Sequence, residues 1–215
     1  MGPKILKRIA SSAVLGLVII SCISLGYIYI CLMLLIAMIL MMCEWNQINI
    51  KPLRKPVLYT VGYVYIAIPM LFWIVFLYFN PEYKTHLLLV FIIVWSVDVF
   101  AYFGGKIFKG PKLAPLISPK KTWSGAISGS FMAIVVSIIC MYSIQFSVSL
   151  LNLLLVMILA IASIIGDLIE SKAKRTLNVK DSGNIIPGHG GICDRLDSFM
   201  MATYAYATMA LFLQI

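Results

Sequence analysis

Charge is scarce in this chain: of its 215 residues only 12% are Asp, Glu, Lys or Arg, and just eight of those are acidic. Soluble globular domains are about 25% charged and roughly half apolar, whereas 62% of this chain is hydrophobic. The shortfall excludes an ordinary water-soluble fold. Histidine is nearly missing, with only His86 and His189, so no metal centre can be built from imidazoles alone. Cys22, Cys31, Cys43, Cys140 and Cys193 form no C-x-x-C pair and lie mostly in or beside apolar stretches. That usage speaks for small packing residues and against a disulfide framework or a zinc site. Internal repeats and low-complexity linkers are also lacking. No A-x-A-like cleavage site closes the first apolar run, so a retained membrane span is expected there and a signal peptide is not.

What the chain does have is long apolar runs. In lipid every backbone polar group must be satisfied internally, which leaves helices or a closed barrel. Unbroken runs exclude the alternation a barrel needs, so the expected fold is all-α, a polytopic transmembrane helical bundle. A span takes about 20 apolar residues. The uncharged stretch 9–42 is long enough for two spans turning near Ser24-Leu25-Gly26. Further spans are expected at about 58–79, 87–103, 126–144, 150–168 and 196–215, seven in all, with Pro69 kinking the third.

Charge placement checks that count. With seven spans, 16 of the 17 basic residues fall on one side, and only Lys84 falls on the other. By the positive-inside rule the loaded side is cytoplasmic. The net charge of +9 is thereby explained by topology, without a nucleic-acid partner.

Two loops on the loaded side, 104–125 and 170–195, hold ten of the basic residues and flank the hairpin of spans five and six. Lysines neutralise phosphate oxygens and carboxylates hold a bridging divalent metal, so this mixture suits a polyphosphate beside a membrane. Asp98 and Asp167 lie inside or at the end of apolar spans, where charge is expensive and usually functional. Asp167 and Glu170 are three residues apart, as are Asp194 and Asp197, a spacing that shares one helix face. If Asp167 faces Asp194 and Asp197, three mutually repelling carboxylates converge, and an oxygen-ligand metal site follows. The bland alternatives are acidic helix caps for Asp194 and Asp197, and an ion pair or a proton path for Asp98.

Pro187-Gly188-His189-Gly190-Gly191 lets the backbone turn its N–H groups onto an anion, or is simply a flexible turn. His189 can bond a phosphate or shuttle a proton. Ser118, Lys120, Lys121 and Thr122 offer hydroxyls and ammonium groups to phosphate in the other loop, although a plain positive-inside loop accounts for the lysines nearly as well.

The segment 171–197, SKAKRTLNVKDSGNIIPGHGGICDRLD, closely resembles the diagnostic motif of the phosphatidate cytidylyltransferases, the CDP-diacylglycerol synthases. Ser171, Lys174, Arg175, Lys180, Asp181, Pro187, His189, Gly190, Gly191, Asp194, Arg195 and Asp197 stand at its fixed positions. Ala173 replaces a larger aliphatic residue, which removes volume but no chemical group. The stretch 98–125 and Gly166–Ser171 resemble two further regions of that family, while the N-terminal half resembles it mainly in hydropathy.

The resemblance implies a single membrane domain with variable helices over 1–97, a catalytic region over 98–198 and a last helix over 199–215. It implies nucleotidyl transfer from CTP to phosphatidic acid, yielding CDP-diacylglycerol and pyrophosphate. Asp167, Asp194 and Asp197 would then ligate Mg2+ and a second cation, Mg2+ or K+. Lys174, Arg175, Lys180 and Arg195 would hold the triphosphate or the lipid phosphate. Ser118, Lys120, Lys121 and Thr122 would line the other wall, with His189, Gly190 and Gly191 beside substrate. Asp98 would support the polar cavity, and Asp181 would bind metal or orient a lysine. An inner-membrane location, a site facing the cytoplasm and a homodimer complete the expectation. The rivals are a transferase or CTP-dependent kinase acting on another lipid, and a transporter.

Overall fold

The computed structural model describes residues 3–49, 56–179, 182–183, 185 and 190–213. Its described residues form seven α-helices: α1 Pro3–Leu25, α2 Tyr27–Asn49, α3 Pro56–Phe79, α4 Lys84–Phe108, α5 Trp123–Ser143, α6 Leu150–Thr176 and α7 Cys193–Leu213. Each lies where the hydropathy reading places a span. Five segments, 27–47, 56–79, 81–108, 123–143 and 150–176, are long and apolar enough to cross a membrane, so this is a membrane protein. Neither α1 nor α7 meets that measure among the described residues; the apolar part of α1 is 13–25. The turn expected near Ser24 is a one-residue break at Gly26, whose φ of +122° few other residues adopt.

The chain divides into two compact units, one of residues 1–84 with 173–196 and one of 85–172 with 197–215. In the first, the indole Nε1 of Trp45 on α2 donates to the Tyr59 carbonyl on α3 at 3.2 Å. Gly62 makes room for that ring, since any Cβ there would lie 2.1 Å from it. The last turn of α6 also belongs here. It closes with Asn178 in the left-handed region (φ 57°) and Val179 N–H bonded to the Lys174 carbonyl at 2.9 Å. This is a Schellman stop with Asn in the usual glycine place, and it leaves Lys174 and Arg175 on the final turn, where the helix dipole favours cations.

In the second unit, α4 and α5 approach through small residues, the usual device for helices in lipid. A Cβ on Gly125 or Gly129 would come within 2.6 Å of the Ala101 carbonyl or 2.8 Å of the Val97 carbonyl. Between these helices lies a feature absent from the sequence reading. Strands β1 Lys112–Ala114 and β2 Ser118–Thr122 pair antiparallel around a turn closed by Ile117 N–H to the Ala114 carbonyl. Pro115 sits at the second turn position, where its fixed φ fits.

Helices α6 and α7 meet at Gly166, where an added Cβ would lie 2.6 Å from the Asp197 carbonyl oxygen and 2.7 Å from the Met201 Cβ. Alanine is the better helix former by about 1 kcal/mol. Its methyl nevertheless has to displace backbone, and overpacking of that kind costs about 1–3 kcal/mol. Gly166→Ala is therefore expected to lower the thermal midpoint in detergent, which intrinsic tryptophan fluorescence would follow.

Candidate active site

The first unit holds the end of α6, the described part of the following loop and the start of α7. Lys174 Nζ pairs with Asp194 Oδ1, and the two side chains are only 13% and 8% exposed. The other oxygen, Oδ2, accepts N–H bonds from Ser182 at 3.0 Å and Gly191 at 2.9 Å. Asp194 precedes the apolar part of α7 that begins at Leu196. Burial acts to raise its pKa, but Lys174 and the two N–H donors outweigh that effect and hold the carboxyl below its ordinary value. Gly190 has a φ of +86°, and a Cβ on it would lie 2.8 Å from Asp194 Oδ2. The Gly191 N–H thus turns onto an anion, and the anion there is the protein's own carboxylate. Asp194 does not cap its own helix. It binds the loop in front of it.

Arg175 is exposed and donates to the Val179 carbonyl at 3.4 Å, while Arg195 is exposed on the first turn of α7. Lys180, Asp181 and His189, all expected at the site, lie outside the described residues.

A second cluster lies within the other unit. Asp98, Lys106, Lys120, Lys121, Thr122 and Asp167 line a cavity of about 340 Å³ together with Val97, Ala101, Tyr102 and Ile164. Lys121 is ion-paired with Asp167 Oδ2, and Ser171 Oγ donates to Asp167 Oδ1 at 3.3 Å. Asp98, Lys120, Lys121, Thr122 and Asp167 were expected at the site and do share this space. Ser118 opens β2 and does not line the cavity. Thr122 is buried at the N-cap of α5, where its Oγ1 accepts from Gly125 N–H at 3.2 Å and from Ser124 Oγ at 3.1 Å. Its role there is to anchor the helix under Lys121. Lys106 and Tyr102 were missed. The sequence places Lys106 only among the basic residues of the 104–125 loop, although it sits in the last turn of α4.

Asp197 is buried, with Oδ1 accepting the Ser198 N–H at 2.7 Å. Among the described residues no group of three His, Cys, Asp or Glu side chains is gathered to hold a metal ion. The donor chemistry nevertheless suits a hard cation. Asp167 and Asp194 each offer carboxylate oxygens, and each already holds the positive charge of a lysine.

Residues 56–213 match the profile of the cytidylyltransferase family. The chain belongs to that family. It is 37% identical to the phosphatidate cytidylyltransferase of Rickettsia prowazekii (strain Madrid E), over 97% of this chain and 92% of the relative. The protein of the same name from Rickettsia bellii (strain RML369-C) is 43% identical over 79% of this chain and 74% of its own length. The one from Brucella abortus (strain 2308) is 44% identical over 57% of this chain and 46% of the relative. Family membership thus covers both clusters, because Asp98 through Asp197 all lie inside the matched residues.

Proposed function

We propose that this protein is a phosphatidate cytidylyltransferase, making CDP-diacylglycerol and pyrophosphate from CTP and phosphatidic acid. The observation that carries the reading is its likeness, over nearly the full length of both chains, to proteins of that name. The cavity supports it: three lysines suit phosphate, while Val97, Ala101 and Ile164 suit the apolar start of a lipid tail.

In the reaction a phosphate oxygen of phosphatidic acid attacks the α-phosphorus of CTP, and the bond to the β-phosphate's bridging oxygen breaks. The nucleophile is already an anion, so no strong general base is needed. The protein's task is positioning and charge stabilisation. Lys106, Lys120 and Lys121 neutralise phosphate oxygens in one cluster; Lys174, Arg175 and Arg195 do so in the other, and the family resemblance gives Lys180 the same task. Mg2+, and a second cation of Mg2+ or K+, would be held by Asp167, Asp194 and Asp197 and would offset charge on the phosphates. With those carboxylates on cations, Lys121 and Lys174, which pair with Asp167 and Asp194 here, would turn to phosphate. The distribution of basic residues supports a site facing the cytoplasm, and the inner-membrane location rests on the family resemblance. The homodimer rests on the family resemblance.

The test is CTP-dependent conversion of phosphatidic acid by the full chain in detergent, with Mg2+ and then with EDTA. CDP-diacylglycerol and pyrophosphate are expected with Mg2+, with loss of both under EDTA. CDP with a phosphorylated lipid would instead indicate a lipid kinase. No CDP-lipid from well-folded protein would overturn the assignment.

A further inference from the structure

Glu44 lies in α2, outside the residues that match the family profile, and its side chain is completely buried. A buried carboxylate is tolerated only with hydrogen-bond partners. Its partners come from the segment 182–193. Oε1 accepts the Ile192 N–H at 2.9 Å, and Oε2 accepts the Cys193 N–H at 3.0 Å and the Ser182 hydroxyl at 3.3 Å. The Cys193 thiol adds a bond to the Met41 carbonyl, one helical turn before Glu44, at 3.5 Å. Two glycines are folded against the same carboxylate. A Cβ on Gly183 would lie 2.8 Å from Oε1, and one on Gly191 would lie 2.4 Å from Oε2.

The N–H groups of Ile192 and Cys193 stand at the start of α7, where no intrahelical carbonyl can meet them and negative charge is favoured. Glu44 therefore caps α7 from another helix. The residues it fixes are also those that hold Asp194. Ser182 bonds Glu44 through its hydroxyl and Asp194 through its N–H, and Gly191, which bonds Asp194, adjoins Ile192. We propose that Glu44 is a positioning residue, whose carboxylate sets the loop frame that aims Asp194 at Lys174. The catalytic half of this proposal rests on the cytidylyl-transfer reading; the structural half does not.

The experiment compares the full chain in detergent as wild type, E44Q and S182A, by amide hydrogen exchange and by kinetics. E44Q keeps the side-chain volume but turns an N–H donor toward groups that are themselves donors. Exchange at 191–193 is expected to accelerate about tenfold or more, with α4–α6 unchanged. Because small misplacements of reacting groups can cost about 100-fold, kcat is expected to fall about 10- to 100-fold, with both KM values within about threefold of wild type. S182A should move both readouts in the same direction by less, and it keeps the question answerable if E44Q folds poorly. Wild-type exchange at 191–193 in both variants would overturn the proposal. So would a loss of protection spread over the whole chain, which marks a merely structural residue. If the wild type makes no CDP-lipid, the proposed reaction and the catalytic half fail together, while the exchange result still decides the anchoring.

Discussion

Asp194→Asn is expected to lower CTP-dependent turnover by about 100- to 1,000-fold, the usual loss when one preorganised electrostatic group is removed. The carboxyl titrates below its ordinary value, so it is ionised at neutral pH and asparagine removes a full charge. The same change removes the carboxylate that pairs with Lys174, whose side chain is mostly buried. Breaking one side of a buried pair costs about 3–5 kcal/mol, chiefly because the remaining charge is left uncompensated. Stability and turnover therefore fall together in the single variant and cannot be told apart there. Asp194→Asn with Lys174→Met separates them. The double variant removes both charges of the pair, so its thermal midpoint should recover most of the loss, while turnover should stay low. Melting curves and CDP-lipid formation, measured on the same preparations, read the two effects independently. Recovery of turnover in the double variant would mean that the pair only holds the fold.

The helices were legible because the bilayer sets their length and the chain supplies few charges to interrupt it. Sixteen of the 17 basic residues falling on one side supported seven segments, and seven α-helices are found among the described residues. The extension of α6 was not legible from hydropathy. The span is expected to end at Leu168, yet the helix runs on through Glu170 and Lys174 to Thr176 and stops only where Asn178 takes the left-handed conformation. The hairpin was hidden for a different reason. Pro115 and Pro119 argue against strands, but each strand of a two-stranded ribbon has one open edge, where a proline nitrogen removes no ladder bond.

The chemistry-bearing loops were legible from residue types at fixed spacing, but the contacts among them were not. Spacing put Asp194 and Asp197 on one helix face, yet Asp194 is held by the loop before it and Asp197 bonds the N–H beside it. Lysines, placed by sequence among phosphate ligands, turn out to be the carboxylates' partners in both clusters. Glu44 went unnoticed because its signal is a single acid just past a 35-residue uncharged run, more than 130 residues before its partners. An acid in that position deserved the same suspicion as Asp98 and Asp167.

The cavity in the second unit leads to the other large effect. Lys120 is exposed at its lining and Lys121 is tied to Asp167, so the two neighbours should fail differently. A hydrogen bond to a charged group contributes about 1.5–3 kcal/mol, which corresponds to roughly 10- to 100-fold in binding. Lys120→Ala should raise a substrate KM by about that factor and leave kcat within about threefold, the pattern of binding lost equally from ground and transition states. Lys121→Ala should lower kcat as well, because Asp167 is then left without its counter-charge against apolar walls. The affected KM should be that for phosphatidic acid. Val97, Ala101 and Ile164 share the space with the lysines, and a nucleotide triphosphate has no use for such a surface, whereas a phosphate attached to a glycerolipid does. Varying each substrate at saturation of the other decides it. A rise confined to the CTP constant would move the nucleotide into this cavity and leave the lipid phosphate to the Lys174 cluster, and no change in either constant would remove the cavity from the reaction.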